Sequence, residues 1–309
     1  MKILVTGGCG FIGSHLCRRL STRGHDVRVL DDLSRGKREN VPHEVAVEIG
    51  DIVDRSTVAR AFEGVDACVH LAAIASVPEC QKDWSRANAV NLNGSVNVFA
   101  AAAEAGNVPV VYASSAAVYG DVGGRAHEAL NPRPFSAYGV DKYAIELHAQ
   151  VAGNDVGLPS CGLRFFNVFG PGQDPSSPYS GVITVFVERL LRGEPTFIYG
   201  DGEQTRDFIY VEDVVDAISL ALEKARSGAP VFNVCRGVQV DVAALHAELC
   251  QVLGVNQEPR YDPPRIGDIR FSVGCPQKAA GELGFVARTS LRDGLRRLRD
   301  ARVARPERR

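Results

Sequence analysis

The stretch MKILVTGGCGFIGSHL, residues 1–16, decides the fold. An apolar run, Ile3-Leu4-Val5, ends in Thr6 and a glycine-rich turn. Gly8, Gly10 and Gly13 have the spacing G-x-G-x-x-G, and Gly7, Gly10 and Gly13 also give G-x-x-G-x-x-G. Phe11, Ile12 and Leu16 follow in a helical pattern. Glycines in such a turn let the backbone fold tightly and approach a pyrophosphate, whose charge rests at the N-terminus of the next helix. The opening strand, turn and helix therefore predict a dinucleotide-binding unit.

Outward from that opening, strand-like and helix-like segments alternate. Strands are expected at Lys2–Thr6, Asp26–Asp31, Val45–Glu48, Ala67–Leu71, Val108–Ser114 and Gly162–Phe166. Helices are expected between them at Ser14–Arg23, Arg55–Glu63, Arg86–Ala105 and Ala137–Ala152. This repetition predicts an α/β fold, a doubly wound parallel sheet with helices on both faces. The rhythm breaks after Phe166, where the loop GPGQDPSSPYSG at 170–181 is followed by a helix (Val182–Arg192) and a short strand (Thr196–Tyr199). The segment Phe208–Lys224 and the run Val231–Val234 return to the sheet. The expected division is residues 1–166 plus 207–235 for the dinucleotide and 167–206 plus 236–309 for a smaller, discontinuous α/β unit. The ligand cleft then lies at the carboxyl ends of the strands.

Composition narrows the function classes. The chain has 309 residues, 45% hydrophobic and 23% charged, with a formal net charge of -2. That balance gives no reason to expect a nucleic-acid partner. The 8 cysteines include no C-x-x-C pair and the 7 histidines no H-x-x-x-H pair, so neither a metal site nor a disulfide framework is expected. Scattered thiols of this kind suit a reducing, cytoplasmic compartment. With a strand expected from Lys2, no signal peptide is expected, and no apolar run reaches membrane-spanning length. The final stretch LRDGLRRLRDARVARPERR reads as an amphipathic helix running out into a solvated tail.

Two further constellations carry chemistry. Asp31, followed by Asp32, ends the second strand about 20 residues after the glycine turn, where a carboxylate binds the adenosine ribose hydroxyls and disfavours a 2′-phosphate. That favours NAD, while Arg35 and Lys37 nearby leave NADP open. Tyr138-Gly139-Val140-Asp141-Lys142 places a phenol and an ammonium at i and i+4, on one helix face. An ammonium beside a phenol favours the phenolate, so the pair is expected to lower a pKa that begins near ~10. Ser114-Ser115 closes the fifth strand, where a hydroxyl faces the cleft.

Together these residues resemble the extended short-chain dehydrogenase/reductase superfamily, and within it the NAD-dependent nucleotide-sugar epimerases, in particular the UDP-hexose and UDP-N-acetylhexosamine 4-epimerases. The likeness runs through TGGCGFIG, LDDLSRGKREN, GDIVD, HLAA, NLNGSVNV, SSAAVYG, YGVDK, RFFNVFGPGQDP, GDGEQTRDFIYVEDVVDA and RIGDIRFSVGCPQKA. It implies a Rossmann sheet and these roles: Gly7, Gly10, Phe11, Ile12 and Gly13 on the pyrophosphate of NAD; Asp31 and Asp32 at the adenosine ribose; Asp51 and Ile52 beside the adenine; Leu71, Ala72 and Ala73 along the groove, with Asn91 beneath it. Ser115, Tyr138 and Lys142 form the implied catalytic set, Lys142 also reaching the nicotinamide ribose. Asn167, Tyr199, Arg206, Arg265 and Asp268 are implied on the UDP-sugar side, the two arginines at the diphosphate.

The resemblance implies transient oxidation at C4 of the sugar, with Tyr138 as base. Sister dehydratases carry an Asp-Glu pair, and decarboxylases a glutamate, where this chain has Ala116 and Ala117, and methyl groups do no acid–base work. Uronate-specific epimerases tend to have threonine and arginine in place of Asn167 and Asp174. Ser272 matches a position that gates the 2-substituent, and a small residue there leaves room for an N-acetyl group. A homodimer through a four-helix bundle of Arg86–Ala105 and Ala137–Ala152 is also implied. UDP-glucuronate 4-epimerase, a 4-keto-sugar reductase and a non-catalytic dinucleotide sensor are the competing readings.

Overall fold

The computed structural model describes residues 1–174, 181–225, 229–265 and 268–303. Residues 175–180 of the Gly/Pro-rich loop and 304–309 of the arginine-rich tail lie outside the described residues. In chain order the strands are β1 (Lys2–Thr6), β2 (Asp26–Asp31), β3 (Ala46–Ile49), β4 (Ala67–His70), β5 (Val110–Ser115), β6 (Ser160–Phe165), β7 (Asn167–Phe169), β8 (Phe197–Tyr199), β9 (Thr205–Arg206), β10 (Phe208–Tyr210), β11 (Val231–Val234), β12 (Val240–Asp241), β13 (Arg260–Asp262) and β14 (Phe271–Ser272). The α-helices are α1 (Phe11–Thr22), α2 (Arg55–Ala61), α3 (Val77–Lys82), α4 (Trp84–Asn88), α5 (Gly94–Glu104), α6 (Ala137–Asp155), α7 (Val182–Leu191), α8 (Val211–Lys224), α9 (Val242–Leu253) and α10 (Leu291–Val303).

Seven strands form one sheet in the order β3-β2-β1-β4-β5-β6-β11, and every neighbouring pair is parallel. Strand side chains alternate between the two faces. Ile3 and Val5 of β1 therefore join Leu16 and Leu20 of α1 and Val214 and Ile218 of α8 in one core. Leu4, between them, joins Val58 of α2, Val98 and Phe99 of α5 and Ile145 of α6 in the core on the other face. Strands buried on both faces read as continuous apolar runs, and β4 and β6 are buried along their whole length. This is the doubly wound sheet expected from the β-α alternation, and its order reverses between β1 and β4, the crevice where such sheets bind ligands.

The expected helix Arg86–Ala105 is present, with a π turn inside it. A short α4 passes into a five-residue π-helical turn, Ala89–Asn93, before α5 begins. Within that turn Asn91 is completely buried, accepting from the Ile74 backbone N–H at 2.8 Å and donating to the Ile74 carbonyl at 3.2 Å. The side chain thus pins the loop after β4, and a π turn at such a place commonly marks a functional site.

A third core, with Phe186, Val187 and Leu190 of α7, Leu245 and Leu249 of α9 and Leu295 and Leu298 of α10, lies away from the sheet. β9 pairs with β12 and β14, and β8 with β13. Asp207, fully buried, joins these elements to the main sheet. Its carboxylate accepts backbone N–H groups from Arg236 at 2.9 Å, Gly237 at 2.8 Å and Gly274 at 3.2 Å. Each orphaned buried donor costs about 1–3 kcal/mol, so Asp207→Ala is expected to lose on the order of 3 kcal/mol or more in urea unfolding. A loss below about 1 kcal/mol would contradict the role of Asp207 as the junction.

Candidate active site

The carboxyl ends of the parallel strands open into one cleft of about 2600 Å³, lined from Gly7 on one side to Ser272 on the other. A single drug-sized ligand occupies roughly 300–1,000 Å³, so the cleft has room for a dinucleotide and a second large ligand together.

Its floor begins at the glycine turn. Gly7 has a φ of 70°, and a β-carbon there would lie 2.6 Å from the Ala72 backbone nitrogen. A β-carbon on Gly13 would lie 2.3 Å from the Gly7 carbonyl oxygen. The turn is therefore closed to any side chain, which leaves backbone facing the cleft. Gly10 caps α1 with no side-chain hydrogen bond, so the first N–H groups of the helix remain free for an anion. Gly8, counted in the G-x-G-x-x-G spacing, serves packing instead: a β-carbon on it would strike the Val29 side chain at 2.5 Å. This cradle fits the diphosphate of a dinucleotide.

Phe11, Ile12, Asp31, Asp32, Asp51, Ile52, Leu71, Ala72 and Ala73 all line the cleft. Asp31 is buried, and its carboxylate accepts from the Cys9 and Leu33 backbone N–H groups at 2.9 Å each. Burial pushes its pKa up, against those two hydrogen bonds. The same aspartate thus ties the glycine turn to the loop after β2. Asn91 lies behind the lining, beneath the groove.

Ser115 ends β5 and accepts from the Ala117 backbone N–H at 3.1 Å. Tyr138 stands at the start of α6, where Ser136 caps the helix by accepting from the Gly139 N–H at 3.1 Å. The phenol and the Ser115 hydroxyl both line the cleft. Lys142 is buried, with Nζ 5.8 Å from the centroid of the Tyr138 ring. These three side chains come together as expected, but the expected lowering of the phenol pKa is not found. Burial pushes Tyr138 up to about 12, although the Ser115 hydroxyl pulls the other way. The ammonium, over the phenol ring, donates to the Ala113 carbonyl at 2.8 Å. Burial also drives Lys142 down to about 8.

On the opposite wall Asn167, Arg206, Asp268 and Ser272 line the cleft. Ser272 on β14 and Arg206 on β9 are register partners in a parallel pair. Arg206 donates to Asp268 Oδ1 at 2.5 Å and to the carbonyls of Thr205 and Ile269 at 2.8 Å. Two residues expected to face a substrate therefore face each other. Arg265 and Tyr199 stand outside the cleft lining, the guanidinium stacked 3.8 Å from the centre of the tyrosine ring.

Three buried polar groups near the site were not singled out from the sequence. His70 sits between Thr6 Oγ1 at 2.7 Å and Ser95 Oγ at 2.9 Å, and burial, then Lys142, lower its pKa to about 3, so it is a neutral strut. Glu146 and Arg164 form an ion pair with both side chains 5% exposed. The signals were present: Glu146 is four residues beyond Lys142, and Arg164 is a charge inside an otherwise uncharged, fully buried strand.

A model of the NAD dependent epimerase/dehydratase family matches residues 3–235. Among solved structures, the UDP-glucose 4-epimerase of Thermotoga maritima with UDP-glucose is 37% identical, with a TM-score of 0.94 over 98% of this chain and 99% of that one. The UDP-N-acetylglucosamine 4-epimerase of Methanobrevibacter ruminantium, in complex with UDP-N-acetylmuramic acid, is 34% identical, with a TM-score of 0.93 over 98% of each chain. The Thermus thermophilus UDP-glucose 4-epimerase complex with NAD is 38% identical, with a TM-score of 0.90 over 97% of this chain and 98% of that one.

The buried lysine sets a test of this geometry. Below pH 8 the native protein holds a charged ammonium out of water. Between pH 8 and 10.5 it releases that proton while the unfolded chain keeps it, so this group's contribution to stability rises with pH. Lys142→Met is expected to be more stable than the parent in urea at pH 7, with a margin that shrinks as the pH rises from 8 to 10. Equal stability at pH 7, or a margin that does not change, would contradict it. Comparing the two proteins at each pH cancels the buried thiols that do not feel Lys142, such as Cys68 and Cys161, and leaves Cys80, which does, as part of the difference.

Proposed function

The chain belongs to the NAD dependent epimerase/dehydratase family, and from that premise we propose that it inverts C4 of a UDP-hexose or UDP-N-acetylhexosamine, with NAD retained through the cycle. One observation carries the reading. Ser115, Tyr138 and Lys142 meet in the cleft, and the two residues that follow Ser115 there, Ala116 and Ala117, offer only methyl groups. The site has a base for the sugar hydroxyl and, at positions 116 and 117, no acid to eliminate water or drive carbon loss.

When bound, NAD accepts hydride at one stage and gives it back at the other. The chain supplies the rest. Gly7, Gly10 and Gly13 with the start of α1 hold the diphosphate of the cofactor, and Asp31 and Asp32 hold the adenosine end, which favours NAD over NADP. Tyr138 takes the proton of the 4-hydroxyl as C4 becomes a ketone. Ser115 shares that proton, and Tyr138 returns it once the opposite face of the ketone has been reduced. The bound sugar nucleotide meets a phenol raised mainly by burial, so the positive charges of the closed complex, Lys142 among them, have to favour the phenolate.

Across the cleft Arg206 binds the diphosphate, exchanging Asp268 for phosphate oxygens, a partner better matched to a guanidinium. Asp268 is then free for the nucleotide ribose. Asn167 faces the sugar, and Tyr199 with Arg265 stands at the nucleotide end. Residues 1–166 with 207–235 form the cofactor unit, and 167–206 with 236–309 the sugar-nucleotide unit. Val140, Leu147 and Val151 leave an apolar stripe on α6, each 45–53% exposed, which supports a homodimer through that helix. Ser272 leaves room for the N-acetyl group.

The test is incubation of purified protein, without added cofactor, with UDP-glucose, UDP-N-acetylglucosamine and UDP-glucuronate, read by anomeric NMR. Epimerisation of UDP-glucose and UDP-N-acetylglucosamine is expected, with UDP-glucuronate left unchanged. Tyr138→Phe should lose about 10²–10⁴-fold in rate, the usual worth of a positioned base, while NAD stays bound. Ser272→Tyr should lose the N-acetylated substrate and keep UDP-glucose. A strict need for added NADH or NADPH would support a reductase instead, and inversion of UDP-glucuronate alone would overturn the substrate reading.

A further inference from the structure

Two consecutive residues of β5 hold successive turns of α6. The Ala113 carbonyl accepts from Lys142 Nζ at 2.8 Å, and Ser114 Oγ donates to Glu146 Oε1 at 2.5 Å. Ser115, the next residue of the strand, lines the cleft together with Tyr138. Tyr138, Lys142 and Glu146 are four residues apart, so they lie along one helix face at steps of about 6 Å. The strand end and the helix therefore meet like two edges laced at two points, with the Ser115–Tyr138 pair one step further along. A close approach makes this lacing possible, since a β-carbon on Gly139 would lie 2.5 Å from the Ala117 carbonyl oxygen.

Glu146 is the one point held from two strands. Arg164 on β6 donates Nε to Glu146 Oε1 at 2.8 Å and Nη2 to Oε2 at 2.6 Å. The guanidinium lies over the Tyr119 ring, 4.7 Å from its centre, and the Tyr119 hydroxyl donates to Asn233 of β11 at 2.7 Å. Around this pair α6 otherwise presents apolar residues such as Ile145 and Ala149 to the sheet. Apolar contacts are non-directional and tolerate small slips along the helix axis. A buried bidentate pair does not, because a slip leaves charge unpaired out of water. Glu146 and Arg164 themselves lie outside the cleft lining, so neither is placed to touch a ligand.

We propose that Glu146 and Arg164, acting through Ser114, are positioning residues that set the register of α6 on β5 and thereby the separation of Tyr138 from Ser115. The kinetic part rests on Tyr138 being the base of the proposed reaction; the geometric part does not.

Removing one member of a buried pair strands the other and threatens folding, whereas replacing both by apolar residues is often neutral or stabilising. The informative variant of the full chain is therefore the double substitution Glu146→Leu/Arg164→Met, with Ser114→Ala as the milder companion. Thermal unfolding and NAD content are expected to stay close to the parent in both. In steady-state assays with UDP-glucose the double variant should lose about 10²-fold in kcat, the cost of a misplacement near 1 Å, with KM within about twofold. Ser114→Ala should shift kcat in the same direction by less. A crystal structure of the double variant should show Tyr138 and Ser115 displaced by about 0.5 Å or more relative to the parent. A folded double variant with parental kcat, or an unchanged Tyr138–Ser115 separation, would overturn the proposal. Should the parent turn over no UDP-sugar, the proposed function fails, while the crystallographic comparison still decides the positioning claim. Should the double variant not fold, Ser114→Ala decides it by the same kcat, KM and distance readings.

Discussion

All seven strands of the main sheet run parallel, and that one constraint places nearly everything else. Parallel strands end along one edge, so the segments that follow β1, β2, β3, β4, β5 and β6 all emerge on the same side. The glycine turn, Asp31, Asp51, the Leu71–Ala73 run, Ser115 and Asn167 are scattered over 160 residues, yet each follows or closes a strand at that edge. The cleft is thus a consequence of hydrogen-bond direction before any ligand is considered. The side chains around it then need only be aimed.

Aiming is costly here. Tyr138, Lys142 and Asp31 have ionisable groups drawn out of water, and in each burial is the largest influence, opposing the charged form. The fold offsets this with directed partners: two backbone N–H groups for Asp31, a carbonyl for Lys142, a hydroxyl for Tyr138. A site built this way spends stability on preorganisation. On the other wall Arg206 and Asp268 offset each other's charge.

Much of this was legible in the chain. The β-α alternation announced the sheet, because strands buried on both faces cannot hide their apolar runs. Tyr138 and Lys142 were readable as a pair because i and i+4 share a helix face. What was not legible depends on distance in sequence or on side-chain competition. No local pattern tells that Arg206 meets Asp268, 62 residues away, or that Asp207 gathers backbone donors from residues 236, 237 and 274. The helix expected over 86–105 formed, but nothing in its pattern announced the π turn at Ala89–Asn93, where Asn91 makes two bonds to Ile74. The expected lowering of the tyrosine pKa is not found because spacing shows proximity and not burial, the largest influence on the phenol.

The central claim is that C4 is oxidised and reduced inside one bound complex. UDP-glucose carrying deuterium at C4, incubated in ordinary water with the purified protein, tests it most directly. Mass spectrometry and NMR of the 4-epimer should find the deuterium still on C4. Replacement of that deuterium by solvent hydrogen would contradict the account, because it would mean that C4 was inverted by loss of a proton and not by transfer of a hydride.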